Sequence, residues 1–352
     1  VVADPGGERD PQYLLDLIPT EKATFVYLVS SMLDVLLELT DGTTLLSGLK
    51  HVWCGGEGLD PALFYRFRAQ LSTTLYHGYG PAEATIGVSH VIYRDSAERI
   101  ETSIGRPNPH TQLYVLDDDL HPVPVGEGGE LYAAGFLLGR GYVNAPGLPG
   151  ARFIANPFAQ DGSRMYRTGD LARWTADGVL EFLGRVDNQV KIRGMRVELE
   201  EIEVILAAHP QVRHAAVILR KTPAGGAQLT GYALSTTGAD PDELRAWCAQ
   251  KLPEHMVPNS VMVLDEFPVT ANGKIDRRAL PEPALAAPGA GTPVTDPRVQ
   301  AICDIYAELL GVPSVGADTD FFALGGDSIA AMGLVSRARR MGLRVRPRDV
   351  LT

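Results

Sequence analysis

Ser328 stands in the run DFFALGGDSI, Asp320 to Ile329, and its setting suits a phosphate ester. Two glycines and an aspartate precede it. Behind it Ile329, Met332 and Val335 mark one side of a helix, so the serine is expected to open an amphipathic helix. At that position the first backbone N–H groups lack partners and the helix dipole is positive, which favours a phosphate. An isolated Gly-Gly-Asp-Ser does no more than cap a helix; the ten-residue context argues for a modified serine. Upstream, five further runs follow in order: TLYHGYGPAEATIG, YRTGDL, GRVDNQVKIRGMRVELEEIE, LPEHMVP and NGKIDRRAL. They supply Glu83, Asp170, Arg185, Asp187, Lys191 and Lys274. A lone lysine such as Lys274 is by default a solvated surface charge, so only its run makes it a candidate.

DFFALGGDSI resembles the attachment motif of peptidyl carrier domains, whose serine takes a 4'-phosphopantetheine arm as a phosphodiester. The five upstream runs resemble the adenylation domains of nonribosomal peptide synthetases, within the wider adenylate-forming enzymes, and the likeness covers nearly the whole chain. It implies an α/β and α+β multidomain protein: part of a large adenylation subdomain, a small mobile C-terminal subdomain, then a helical-bundle carrier. It also implies an ATP-dependent ligase that joins an amino-acid carboxylate to the α-phosphate, expels pyrophosphate and passes the product to its carrier as a thioester. Such a transition state is crowded with negative charge, and cations with Mg2+ stabilise it.

The resemblance also distributes roles. Tyr79 would lie beside the adenine, with Gly56, His77 and Phe182 also at the nucleotide, and Glu83 would help hold Mg2+. Asp170 would take both ribose hydroxyls, one carboxylate oxygen for each donor, and Arg185 would support the nucleotide from the junction. Lys274 would contact substrate carboxylate and phosphate. Asp187 resembles the hinge of the small subdomain, and Lys191 with Arg193 to Arg196 the face used in thioester formation. The plain alternative for that face is a solvated strand edge. Ala82 stands where the family usually has threonine, a lost hydroxyl of modest expected cost.

Positions read at set distances from the motifs give a side-chain pocket of Tyr27, Trp53, Gly55, Gly78, Ile86 and Gly87. Three glycines would leave room for a long substrate, and Tyr27 and Trp53 offer amphipathic walls with polar tips. This pattern resembles pockets for N5-hydroxyornithine, possibly acylated, as used for hydroxamate siderophores. Glycines at Gly55 and Gly78 that merely permit tight turns are the alternative. GLPGARFIANPF resembles the docking surface for small MbtH-like proteins. Neighbouring condensation domains and a phosphopantetheinyl transferase complete the expected partners. No run matches the family's phosphate loop or the aspartate that pairs with the substrate amino group, and the carrier lacks its last helix. The expectation is a chain cut at both ends, either a fragment or one whose remainder another polypeptide or further region supplies, and alone unable to complete adenylation. Two rival readings remain, a non-catalytic carrier or docking fragment and an acyl-CoA synthetase; the fused carrier motif counts against the second.

The elements that must position these residues can be sketched. To about Gly184, β-rich runs such as HVWCGGE, TQLYVLD and GELYAAG alternate with helical stretches, as in a mixed α/β fold. The adenylation core is expected over 1–186 and the small subdomain over 187–281. The latter should hold strands VLEFLG and QVKIRG at its entry, a helix over 198–207 and a hairpin joining AAVILR to LTGYALS across PAGG. A helix over 241–251 and a strand VMVLDEF should complete it. A Pro/Ala/Gly-rich linker occupies 282–294 and the carrier 295–352. The carrier's first helix should start at the Asp296–Pro297 cap, bury Val299, Ile302, Tyr306, Leu309 and Leu310, and stop at Gly311.

Composition narrows the function class. Lys and Arg number 32 against 43 Asp and Glu, a net charge of -11, which argues against broad nucleic-acid or anionic-membrane binding. Cys54, Cys248 and Cys303 form no CxxC pair and read as buried, reduced thiols. No signal peptide opens the chain and no run of about 20 apolar residues occurs, so a cytoplasmic location is the default.

Overall fold

The computed structural model describes residues 2–40, 46–93, 100, 102–144, 147–192, 194–221, 227–235, 238–270, 272–283, 294–317, 326, 328–345 and 349–350. Two compact units emerge, one of residues 14–194 and one of residues 2–13 with 195–352.

The first unit begins with alternating helices and strands: α1 (Pro11–Thr20), β1 (Phe25–Leu28), α2 (Ser30–Leu39), β2 (His51–Gly55), α3 (Pro61–Gln70) and β3 (Thr74–Tyr79). β1, β2 and β3 are parallel, as helical crossovers require. α3 starts where the Asp60 side chain accepts from the Ala62 N–H at 2.7 Å, with Pro61 in the first turn. α2 has Val29 at its cap position and no side-chain cap of its own, but the Glu57 carboxylate accepts from the Ser31 N–H at 3.1 Å. Leu33, Leu36, Leu37, Val52, Cys54, Phe64, Phe67 and Leu75 fill the core between these helices and the sheet.

The chain then turns antiparallel through β4 (Ser89–Tyr93), β5 (Ser103–Pro107), β6 (Thr111–Leu116) and β7 (Gly129–Gly135). α4 (Gly147–Arg152), β8 (Phe153–Ala155), β9 (Arg164–Trp174), β10 (Leu180–Arg185) and β11 (Val190–Ile192) follow. One ten-stranded sheet results, in the order β1-β2-β3-β4-β5-β10-β9-β7-β6, with β8 on β9. Val88, Ile104, Leu131, Ala133, Ala172 and Leu180 form a second core under its antiparallel half.

The second unit contains β12 (Met195–Val197), α5 (Leu199–Ala207), β13 (His214–Lys221), β14 (Ala227–Leu234), α6 (Pro241–Ala249) and β15 (Ser260–Leu264). β13 and β14 form the expected antiparallel pair, and β15 adds to β14 in parallel; the PAGG turn lies outside the described residues. Trp247 Nε1 donates to the Ile205 carbonyl at 2.9 Å, tying α6 to α5. Arg220 and Tyr232 both donate to the Pro281 carbonyl, at 3.0 and 2.7 Å, which pins the chain where the linker begins. Most of that linker, 284–293, is outside the described residues.

α7 (Pro297–Leu310) opens at Asp296, whose side chain accepts from the Arg298 N–H at 2.8 Å, and closes on Gly311 at φ 66°. Its buried stripe differs from the expected one: Cys303, Ile305 and Leu310 are buried, Ile302, Tyr306 and Leu309 partly so, and Val299 is exposed. Val299 belongs to the first turn, whereas packing against α8 (Ser328–Arg340) comes from later turns, where Leu334 and Ala338 meet Ile305. Ser328 is the first residue of α8, as expected. Residues 318–325 and 327 of its motif region lie outside the description, as do the side chains of Ser328, Ile329 and Met332. All three cysteines are buried and free. No helix among the described residues is long and apolar enough to cross a membrane.

Candidate active site

Adjacent β9 and β10 set opposite each other Asp170 and Arg185, in register at the end of their pairing. A register shift between Phe182 and Gly184 keeps both side chains at the same place. The backbone before Asp170 is fixed by Thr168, whose hydroxyl donates to the Leu131 carbonyl at 2.7 Å and accepts from the Asp170 N–H at 3.0 Å. Gly169 between them has φ +77°, and a Cβ there would come 2.8 Å from Arg185 Nη2. Tyr79 closes the arrangement from the end of β3: its hydroxyl donates to Asp170 Oδ2 while Arg185 Nη1 donates to Oδ1. Arg185 also donates to both oxygens of Asp187, at 2.6 and 2.9 Å. Lys191 Nζ lies 5.9 Å from the centre of the Tyr79 ring.

These neighbours set the charges. Burial pushes the Asp170 carboxyl above the ordinary range, and Arg185, Tyr79 and Lys191 pull it back only in part. Burial works to raise Asp187 too, yet the Arg185 bonds, the Gln189 N–H and Arg152 hold it below the usual range. Burial, then the Asp170 carboxylate, drives the Tyr79 phenol well up, so it remains a donor. Each oxygen of an ionised carboxylate has two acceptor sites. Asp170 therefore keeps one per oxygen after Tyr79 and Arg185 are served, enough for a vicinal diol. Phe182 packs beside this end against the second core.

His77, one residue pair from Tyr79 along β3, is buried, which lowers its basicity. Its Nε2 lies 2.8 Å from the Glu57 carbonyl, so that nitrogen carries the proton and Nδ1 is a buried acceptor. The Glu57 carboxylate meanwhile accepts from Gly194 N–H at 2.9 Å, close to Gly56 at φ +84°. Glu83 sits in the turn after Pro81. Tyr142 donates to its Oε1 at 2.7 Å, and its carbonyl accepts from Gly139 N–H at 2.7 Å.

The expected pocket residues fall on neighbouring strands. Tyr27, Trp53 and Tyr76 are opposite one another across β1, β2 and β3, and Gly55 is opposite Gly78. Trp53 stacks on Tyr76 with ring centres 4.7 Å apart and planes 1° from parallel. The three glycines are not equivalent. The Tyr27 hydroxyl occupies the space over Gly55, a Cβ on Gly78 would meet the Trp53 ring at 3.7 Å, and one on Gly87 would meet only Asn108 Nδ2 at 3.5 Å. Gly78 and Gly87 thus leave space, whereas Gly55 accommodates Tyr27. Thr85 and Ile86 both take left-handed backbone, φ 55° and 59°, a strained conformation for β-branched residues.

Lys274 and Ser328 belong to the second unit. Lys274 is exposed in a turn where the Thr270 N–H donates to its carbonyl at 2.8 Å. Arg193 lies outside the described residues. Unforeseen in the sequence are Glu57, His90, Asn108, Tyr142 and Arg152. Thr168 was at least inside YRTGDL and Arg152 inside GLPGARFIANPF; the others act through partners remote in sequence and carry no local signal.

Family models match three stretches: AMP-binding enzyme over residues 1–143, AMP-binding enzyme C-terminal domain over 201–274, and phosphopantetheine attachment site over 300–352. The dimodular nonribosomal peptide synthase of Bacillus subtilis is 40% identical over 97% of this chain and 14% of its own length. Phosphinothricin tripeptide synthetase PhsB of Streptomyces viridochromogenes is 42% identical over 96% of this chain and 29% of its own length. The chain thus spans less than a third of these relatives. Among solved structures, holo-PA1221, an NRPS protein containing adenylation and PCP domains, aligns with TM-score 0.76 and 30% identity, over 95% of this chain and 55% of that one. With adenylate-forming architecture in the sheet and a carrier motif behind it, the chain belongs to the nonribosomal peptide synthetases, as adenylation-domain sequence followed by a peptidyl carrier domain.

Proposed function

We propose that the protein to which this chain belongs activates an amino acid as its AMP adenylate and loads it on the carrier at Ser328, with an N5-hydroxyornithine-like substrate destined for a hydroxamate siderophore. The observation that carries the activation reading is the Tyr79–Asp170–Arg185 cluster, a buried acid with acceptor capacity for a ribose diol beside an aromatic ring. In the reaction a carboxylate oxygen of the amino acid bonds to the α-phosphorus as the bond to pyrophosphate breaks. Asp170 anchors the ribose, Tyr79 and Phe182 flank the base with Gly56 and His77 nearby, and Lys274 places a cation at the carboxylate and phosphate. Lys191 serves the thioester half-reaction, and Asp187 is the hinge between the subdomains, over the boundaries expected from the sequence.

No group of three or more metal-ligating side chains occurs among the described residues. Mg2+ binds through one or two carboxylates together with phosphate oxygens, and the proposed carboxylate is Glu83, whose Oε1 accepts from Tyr142. Bound there, the metal would neutralise phosphate charge. Ser328 opens a helix of 13 residues, where unpaired N–H groups suit a phosphodiester; the pantetheine arm supplies the thiol that takes the acyl group. The substrate reading rests on Tyr27 and Trp53 beside Gly78, Ile86 and Gly87. Relatives named enterobactin synthase component F and vanchrobactin synthetase VabF, at 40% and 39% identity, bear on the siderophore part of the proposal and not on the amino acid. A transferase that modifies Ser328, condensation domains, and an MbtH-like protein on α4–β8 are the proposed partners, in the cytoplasm.

ATP–pyrophosphate exchange by the protein with its complete adenylation core, across a panel of amino acids, is the test. N5-hydroxyornithine or an acylated form should be preferred over leucine, phenylalanine and alanine by ~10²-fold or more. Preference for a small aliphatic or aromatic residue would overturn the substrate reading, and exchange with none would overturn the activation reading.

A further inference from the structure

We propose that His90 is a specificity-determining wall of the side-chain pocket, presented by Asn108 as a hydrogen-bond acceptor that selects substrates with a donor on the side chain. The inference rests on the pocket position proposed above. His90 lies on β4 opposite Gly78 of β3, a position with no side chain to cover the imidazole. Its ring centre is 5.5 Å from that of Trp53, tilted by 40°, so imidazole and indole stand on the same face of the sheet.

Asn108 determines which nitrogen faces outward. Its Nδ2 donates to the Gly87 carbonyl at 2.8 Å, and its Oδ1 lies 2.6 Å from His90 Nδ1. A carbonyl only accepts, so the amide end at Gly87 must be the NH2 group and the other end the oxygen. That oxygen also only accepts, hence Nδ1 of His90 carries the proton. A neutral imidazole protonated there has Nε2 as an acceptor. The same amide holds Gly87, directly after the left-handed pair Thr85 and Ile86. Asn108 is therefore a positioning residue twice over, for the imidazole tautomer and for the strained corner. A side chain ending in N–H or O–H satisfies Nε2, whereas a hydrocarbon of equal length leaves it unpaired. Sites built on such bonds discriminate strongly against analogues lacking the donor.

Two measurements test this. In the present chain, labelled with 15N-histidine at about pH 8.5 where imidazole is neutral, the His90 signals are assigned by their loss in His90→Gln. The proton should reside on Nδ1, and Asn108→Ala should shift the balance toward Nε2; a wild-type proton on Nε2 overturns the orientation. In the protein with its complete core, exchange is compared for N5-hydroxyornithine, ornithine and norleucine. His90→Leu should cut the donor-to-norleucine ratio of kcat/KM by about 10- to 100-fold, and His90→Gln, whose amide oxygen also accepts, should restore part of it. Equal losses on all substrates overturn the proposal. If the wild type prefers ornithine to its hydroxylated form, the hydroxyornithine reading fails, while the same drop in ratio with His90→Leu still supports the role of His90.

Discussion

Arg185 holds two carboxylates in different surroundings, the Asp170 side chain 11% exposed and that of Asp187 25% exposed. They should answer acid in opposite senses. Asp187 is held below the ordinary range, so its ionised form stabilises the fold above about pH 4, the unfolded value, and that contribution is lost as pH falls through the lower folded value. Asp170 is raised, so its ionised form costs stability at neutral pH, a cost that fades as pH falls through the raised value toward about 4. Asp187→Asn should therefore lower the neutral-pH melting temperature by ~2–4 °C, the effect of about 1 kcal/mol. Asp170→Asn should leave it unchanged or raise it, since Arg185 keeps Asp187, while ATP affinity falls. Melting curves at pH 7 and about pH 2.5, below the ordinary carboxylate range, check both, and a larger neutral-pH loss for Asp170→Asn than for Asp187→Asn would contradict the assignment. Residues inside ordered motifs were legible because the motif places them, and Tyr79, Asp170, Arg185 and Lys191 do converge. His90 and Asn108 were not, because their pairing depends on a strand register that no local run announces.

At the scale of elements, local chemistry was legible where caps and period agree. The Asp296–Pro297 start and Gly311 stop of α7 were both readable, whereas the exposure of Val299 was not, because it depends on which turns α8 reaches. The strand crossing at β4 and β5 was equally hidden. Gly105 has φ +82°, and a Cβ there would fall on the His90 carbonyl. Gly126 has φ +92° with nothing within 4 Å of its Cβ position. Comparing the two separates backbone strain from collision. Gly126→Ala should cost ~1 kcal/mol, and Gly105→Ala ~3 kcal/mol or more, with displacement of β4 and so of His90. Urea unfolding of the chain reads the difference; equal costs would show that the collision is relieved without moving the strand.

Over the whole molecule, the candidate chemical groups are divided between two units, Asp170 in the first and Lys274 in the second. Their losses should differ in kind in the protein with its complete core. On the proposed roles, Asp170→Ala removes ribose bonds made once ATP is bound, so KM for ATP should rise. With Lys274 as the proposed cation at the developing charge, Lys274→Ala should lower kcat for adenylation by ~10²–10³-fold, while transfer from a presynthesised adenylate to the carrier largely persists. Equal losses in both half-reactions would overturn that division. The strand order has a further consequence, in time. Synthesis delivers β5 and then β6 to β9 before β10, yet β5 pairs with β10. Until β10 leaves the ribosome, β5 has a raw edge open to wrong partners. Because β10 also brings Arg185, a nascent chain stopped short of Leu180 would hold Tyr79 and Asp170 without the cation that pairs with Asp170, and chaperones would meet it before any nucleotide did.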